Sequence, residues 1–389
     1  MATLAPEDRF TLLSDQLKDQ PQPPIAATDS NDDHQVTQQQ FLGQELLWDI
    51  IFGGVTSLIL RAVVMLGVPE ILAQQGPGAS LSVAQIAAKL PNCAHPNVGA
   101  LEHILKYMAR RGVFRLSGSD EEPHYGLNDV SRWLAGNVGN VSPILLLHTH
   151  EVYMATWNHL HEAVLENCLP FERVTGKPFF EYAREHPAFS SNINDFMMCY
   201  SKGVMAVVLK HYKGFDDLKS IVDVGGGVGT ALSEIVRVYP QLKAINFDQP
   251  HVVANAPRIP GVEHVGGDMF DNVPSADGVF IKNTLVDWDD EKCIKVLQNC
   301  YKTLLPKSGK IMVVETILKS CAKNPKSCTK KGFFEKLAEI VDVSMLAFTD
   351  GGTSRSEIQW RNLLAAAGFT EIKSFELPEA IVIIEANAK

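Results

Sequence analysis

A glycine turn, two acids and a lysine are the residues in this chain whose types and spacing could do chemistry. Val222-Asp-Val-Gly-Gly-Gly-Val-Gly229 reads as a β-branched strand running into a glycine turn. Such a turn lets backbone amides approach a ligand closely, and the helix behind it presents its N-terminus to anionic groups. Gly225 and Gly227 fit the G-x-G-x-x-G/A spacing of a dinucleotide site, but Thr230 stands where the third small residue belongs, which lowers the nicotinamide reading. Asp248 closes the next strand, roughly 20 residues on, the right place for an acid that grips both ribose hydroxyls. Asp268, in Gly267-Asp-Met-Phe270, could bond an adenine amino group while Met269 and Phe270 sandwich the ring. Lys282, at the end of a further strand, could pair with a carboxylate. A nucleoside joined to an amino acid fits this set better than one joined to phosphates. Each residue alone is equally a turn glycine, a helix cap or a surface ion pair, so the order of the set carries the reading.

The elements that must hold these groups alternate. Strands are expected at Ser220–Val224, Ala244–Asp248, Val262–Gly266, Gly278–Lys282 and Lys310–Glu315. Helices are expected at Ala231–Tyr239, Asp290–Leu304, Phe333–Phe348 and Arg355–Ala367. Strand-helix alternation means an α/β fold with a mostly parallel, doubly wound sheet. Thr370–Phe375 and Ile381–Glu385, joined by Glu376–Ala380, would close it as an antiparallel edge pair.

Upstream, residues 1–38 are rich in Gln, Asp, Asn and Pro and read as a disordered tail. From Gln39 to Leu72 the pattern is apolar and helical on several faces, and such a helix wants a partner, its own domain or a second subunit. Leu81–Leu90 follows as a helix with Ser82 as N-cap, then Asn97–Gly112 with Leu101, Ile104, Leu105 and Met108 as its stripe. Strands at Val113–Leu116 and His124–Leu127 complete a winged-helix arrangement, a module that elsewhere reads DNA. Ser142–Gly214 is helical, with Trp157, Phe171, Phe179, Phe180, Tyr182, Phe189 and Phe196 as core aromatics. The organisation is therefore a tail (1–38), a helical and winged-helix domain (39–140) and a sheet domain carrying pocket helices (141–389).

A chain of 389 residues, 46% hydrophobic and 21% charged, can build two cores. Its net charge of −10 and the few basic residues on the second winged helix (Lys106, Arg110, Arg111) speak against nucleic acid and for a helper or dimerisation role. The lysine-rich Lys319–Lys331 reads as a solvated loop. Cys93, Cys168, Cys199, Cys293, Cys300, Cys321 and Cys328 form no C-x-x-C pair, which argues against zinc and disulfides and for reduced thiols, mostly core filler. No apolar run approaches the ~20 residues of a membrane span. Glu7 and Asp8 stand where a signal peptide would be apolar, so the cytoplasm is the expected location.

On Val222-Asp-Val-Gly-Gly-Gly227, Ile245-Asn-Phe-Asp-Gln-Pro-His251, Val262-Glu-His-Val-Gly-Gly-Asp-Met-Phe270 and Asp287-Trp-Asp-Asp-Glu291, the chain resembles the plant S-adenosylmethionine-dependent O-methyltransferases of small phenolics, the caffeic-acid and flavonoid type. The resemblance runs from about Gln39 to the end. It implies a Rossmann-like methyltransferase domain, a homodimer through the helical first domain, a substrate pocket walled by both subunits, and no metal. It implies S-adenosyl-L-methionine as cofactor, with S-adenosyl-L-homocysteine as product, held by Gly225, Asp248, Asp268, Met269 and Lys282.

The same resemblance exposes a departure. In that family a histidine directly before the Asp-Trp pair removes the phenolic proton, held by two glutamates. Here its position is Val286, which cannot take a proton. The first glutamate is retained as Glu315, and the second is Ser354. Asn283 stands for a usual tryptophan, Thr349 for an asparagine, and Tyr200 for a histidine or other polar group. His148 aligns with a position that contacts substrate and is a candidate relocated base, the alternative being an imidazole at a helix end facing solvent. His150, His159 and His161 have less claim, and Asp287 is expected to cap or bond locally. Leu147, Phe189, Ile193, Met197, Tyr200, Asn283, Met345 and Thr349 are the expected pocket positions, suited to a flat apolar ligand.

The expectation is a methyltransferase acting on a small aromatic or alkaloid-like metabolite, at nitrogen or an easily ionised oxygen. The alternatives are a repurposed fold catalysing a cyclisation, pericyclic reaction or isomerisation with the cofactor as a structural element, and an inactive partner subunit.

Overall fold

The structure is a computed structural model that describes residues 32–136, 139–317, 333–378 and 381–389. Most of the expected tail and all of the Lys319–Lys331 loop lie outside them. The first helix runs Asp32–Met65, beginning seven residues ahead of Gln39. The chain divides inside this helix into two compact units, residues 1–56 and 57–389. One expectation is corrected here. Gly43–Met65 is 23 residues long with a mean hydropathy of 1.7, enough by length and composition to cross a membrane. It was missed because scattered polar residues (Gln44, Glu45, Asp49, Thr56, Ser57) break it into shorter apolar runs.

Beyond Ser57, β1 (Leu81–Ser82), β2 (Arg115–Gly118) and β3 (Pro123–Gly126) form a small antiparallel sheet in the order β1-β3-β2. The segment Leu81–Leu90 is therefore a strand residue pair followed by helix Val83–Ala87, not one helix. Ser82 ends the strand and caps the helix in a capping box with Gln85. Helix Val98–Arg110 buries Leu101, Leu105 and Met108, and with Ile86, Phe114 and Tyr125 they make a separate core.

The large sheet has seven strands: β4 (Ser220–Val224), β5 (Lys243–Asp248), β6 (Val262–Gly266), β7 (Gly278–Lys282), β8 (Lys310–Thr316), β9 (Thr370–Glu376) and β10 (Ile381–Asn387). Their order is β6-β5-β4-β7-β8-β10-β9. The first five are parallel. β10 runs antiparallel between β8 and β9, so of the expected edge pair only β9 lies at an edge, β6 forming the opposite one. Burial explains the order: Ile381, Val382, Ile383 and Ile384 are all buried, which suits an inner strand, whereas β9 alternates exposed and half-buried residues. Apolar layers cover both faces, one centred on helix Asp290–Leu304, the other on helices Pro187–His211 and Thr230–Val238. The sheet order reverses beside β4, so the parallel strands open a crevice at their carboxyl ends, where doubly wound sheets bind ligands.

Of the five described cysteines, only Cys293 and Cys300 are buried core filler, and none forms a disulfide.

Candidate active site

The glycine turn leaves β4 with Asp223 beneath it. A Cβ on Gly226 would come within 2.1 Å of Asn246 Oδ1 and 2.8 Å of Asp223 Oδ2, so only glycine fits there. Gly227 has φ +59° and faces open space, which leaves its backbone approachable. Its amide donates to Asp248 Oδ2 at 2.8 Å, and Gln249 N donates to Oδ1 at 2.6 Å. Two backbone amides therefore orient the Asp248 carboxylate at the end of β5. Burial nevertheless raises its pKa, the two amides opposing the shift.

Farther along the same edge, Asp268 is exposed and accepts from Phe270 N at 2.8 Å. Asn299 Nδ2 holds the carbonyls of Met269 and Phe270, both at 3.0 Å. The Phe270 ring meets Trp288 edge-on at 5.0 Å, and Phe180 stacks on Trp288 at 5.8 Å. That clasp reaches from helix Phe179–Glu185 to the loop after β7.

Lys282 is not at the rim. It is 7% exposed, with Nζ 5.7 Å from the centroid of the Tyr200 ring and 3.5 Å from Asn283 Oδ1. Burial lowers its pKa, while Asp223 and Glu315 act the other way. Asp223 is pushed up to about 7 by burial, with Lys282 opposing. Glu315 is pushed up to about 8 by burial and by the Asp287 charge, with Lys282 and Arg355 opposing. Burial also pushes Asp287 up to about 7. A buried group of titrating acids around one lysine is how chemical sites, more often than cores, are built.

Val286 lies in a 3₁₀ turn, Leu285–Asp287, and is 7% exposed. Its carbonyl accepts from Thr353 N at 2.9 Å, which fixes the turn. Arg355, 2% exposed, braces the same turn through the carbonyls of Leu285 and Trp288 and pairs with Asp290. Sequence reasoning passed over Arg355, and its only signal was an arginine next to the Gly351-Gly352 turn. Ser354 N donates to Asp342 Oδ1 at 3.3 Å, so a carboxylate stands next to the position expected for the second glutamate.

His148 is the last residue of helix Ser142–His148 and is half-buried, not facing solvent. Phe196 lies 5.5 Å and Tyr153 5.8 Å from its ring. Its Nδ1 pairs with the Ile144 carbonyl at 2.9 Å, which makes Nδ1 the donor and leaves Nε2 basic. Burial lowers its pKa, so the imidazole stays neutral at neutral pH. Phe196 stacks on Tyr200, whose ring faces Lys282, so a file of rings joins His148 to the sheet edge. Tyr153, also unforeseen, has its ionisation pushed up by burial and by Asp287, and it packs on Phe348 at 4.4 Å. His150 caps helix Glu151–Asn158 and His159 pairs with Glu162, which gives both local roles.

The other expected pocket residues separate by burial. Leu147 and Phe189 are almost wholly buried, Phe189 among the rings of Phe171, Phe179 and Tyr182. Ile193, Met197, Met345, Thr349 and Asn283 are half-buried. Thr349 Oγ1 donates back to the Met345 carbonyl at 2.9 Å. Asn283 has φ +51° and its Nδ2 approaches Glu315 Oε2 at 3.4 Å. Among the described residues no His, Cys, Asp and Glu group could hold a metal ion.

A doubly wound sheet with this turn, two acids on successive strand ends and a winged-helix module ahead of it defines a class I S-adenosylmethionine-dependent methyltransferase. A family model described as the O-methyltransferase domain matches residues 157–370, and one for the O-methyltransferase dimerisation domain matches residues 48–137. The chain is 40% identical over 357 residues to caffeic acid 3-O-methyltransferase 3 of Populus kitakamiensis, covering 90% of this chain and 95% of the relative. It is 38% identical to (S)-scoulerine 9-O-methyltransferase of Coptis japonica, covering 84% and 85%. The human N-acetylserotonin methyltransferase structure in complex with SAM shares the fold, with TM-score 0.75 at 22% identity over 93% of this chain and 99% of that one. The chain belongs to the S-adenosylmethionine-dependent O-methyltransferase family of plant specialised metabolism, and its cofactor is S-adenosyl-L-methionine.

Proposed function

We propose that this protein methylates a nitrogen, or an easily ionised oxygen, of a small aromatic or alkaloid-like plant metabolite, without the imidazole base used by its family. The observation that carries this reading is Val286, buried and apolar directly before Asp287, at the position the family gives to that base. Losing a general base typically costs ~10²–10⁴ in rate, so an ordinary phenol is a poor substrate. An amine lone pair or a preformed anion needs only approach and alignment, which can contribute ~7–11 kcal/mol.

The residues present fit the cofactor. The open backbone at Gly227, with Gly225 beside it in the turn, leaves room for its amino-acid end. The Asp248 carboxylate, already aimed by two amides, takes the ribose hydroxyls. Asp268 takes the adenine amino group between Met269 and Phe270, and Lys282 faces the carboxylate. When bound, the cofactor supplies an electrophilic methyl group. The acceptor lies flat against Met197, Tyr200, Asn283, Met345 and Thr349. Where the acceptor is a hydroxyl, the neutral His148 supplies the substitute base through Nε2. The protein works in the cytoplasm as a homodimer built on its first domain.

The test is incubation with methyl-labelled S-adenosylmethionine and a panel of plant phenols, amines and alkaloids, read by mass spectrometry. A product heavier by one labelled methyl on nitrogen or on an acidic oxygen is the expected result. Conversion without label would instead make the cofactor a structural element of a non-methylating catalyst. Cofactor binding with no conversion would make the chain a non-catalytic subunit.

A further inference from the structure

Glu315 is the penultimate residue of β8, beside Asn283, and the two strand ends are tied by Asn283 N donating to the Val314 carbonyl at 3.2 Å. The Glu315 side chain is 3% exposed. Asn283 reaches one of its oxygens only at 3.4 Å, and the other, Oε1, is buried with no donor among the described residues. A buried oxygen left without a donor is costly, so such an atom marks a place where a ligand brings the missing N–H or O–H. In the family this glutamate holds an imidazole; here Val286 offers it nothing.

The surrounding charges discriminate between those two donors. Asp287 and Asp223 are the nearby acids, and Lys282 and Arg355 the nearby cations. Arg355 is already engaged by Asp290 and by the Leu285 and Trp288 carbonyls. A phenol reacting here would build negative charge facing Glu315 and Asp287, with no imidazolium between them to compensate. A protonated amine enters with the opposite sign and loses its charge as it gives up its proton.

We propose that the acceptor is an amine whose N–H occupies the place of the missing imidazole, donates to Glu315 Oε1 and delivers its proton there. The proposal rests on the methyl-transfer reading and settles its acceptor as nitrogen. An N–H bond of the ammonium breaks and the proton makes Glu315 a carboxylic acid. The freed lone pair forms a bond to the methyl carbon, and the carbon–sulfur bond breaks with its electrons left on sulfur. The product departs as a methylammonium, and Glu315 returns its proton to solvent.

The test uses the full chain saturated with S-adenosylhomocysteine and two probes of one shape, benzylamine and benzyl alcohol, titrated calorimetrically above the ionisation of Glu315. Benzylamine should bind about tenfold more tightly, as a charge-assisted bond does over a neutral one. In Glu315→Gln, with melting temperature and S-adenosylhomocysteine affinity measured as controls of folding, that preference should vanish. Equal affinities, a preference for the alcohol, no binding of either probe, or a preference that survives in Glu315→Gln would each overturn the proposal. The wild-type comparison alone decides if the variant does not fold. Labelled methyl on phenols without an amine preference would overturn this proposal and leave methyl transfer standing. An amine preference with no methyl transfer to any acceptor would overturn the methyl-transfer reading and the acceptor step with it, and leave only an amine-binding carboxylate at Glu315.

Discussion

Placing an imidazole at the position expected for the family base is the sharpest perturbation the site allows. Val286→His puts an imidazole into the turn before Asp287, where the backbone is already held by Thr353 N and by Arg355. The open oxygen of Glu315 gives the new ring one orienting acceptor. Ser354 gives it no second one, so the gain belongs at the lower end of what a general base contributes, ~10² in rate or about 3 kcal/mol of barrier. Adding Ser354→Glu should recover part of the remainder. The added ring displaces a buried valine and costs about 1–3 kcal/mol of stability. The assay is transfer of labelled methyl to caffeic acid, with cofactor affinity measured beside it. A folded, cofactor-binding Val286→His protein with no gain would refute the reasoning and show that the pocket, not the missing base, excludes simple phenols.

Asp248→Asn keeps the shape of the side chain and removes its charge; cofactor affinity, read by calorimetry, should fall by about 10- to 100-fold, the value of a charge-assisted hydrogen bond. Arg355→Met should lower stability by about 3 kcal/mol in urea unfolding, because it removes the buried guanidinium that ties the Leu285 and Trp288 carbonyls to Asp290. Glu315 sets a pH dependence whose sign is fixed: its pKa is about 8 in the fold against 4.5 ordinarily, so the folded state binds the proton more tightly. Its stabilising effect is complete below pH 4.5 and is lost as pH rises to about 8, and Glu315→Gln should remove on the order of a few kcal/mol of that decline.

The sheet domain was legible because its strands are β-branched runs separated by helical patterns, and periodicity survives in any one sequence. The placement of Asp248 and of the glycine turn was legible for a related reason: each follows from the strand end it occupies. The inner position of β10 was not, because nothing local says which neighbour a strand will choose; only the run Ile381–Ile384, apolar on both faces, hinted at it. His148 illustrates the other limit. A histidine after three leucines gives no sign of which way its ring turns, and its half-buried place between Tyr153 and Phe196 is set by residues distant in the chain. The titrating acids at Asp223, Asp287 and Glu315 follow from burial, which composition does not reveal.

The clasp of Phe180 on Trp288, with Phe270 at its edge, has a thermodynamic corollary. On the proposed reading, Phe270 sits at the cofactor's strand edge, whereas Phe180 belongs to the helices that wall the acceptor. If either ligand tightens that stack, linkage obliges the other to gain affinity by the same factor. Loading of one ligand then primes the enzyme for the second, and the empty state becomes the least ordered form in the turnover cycle.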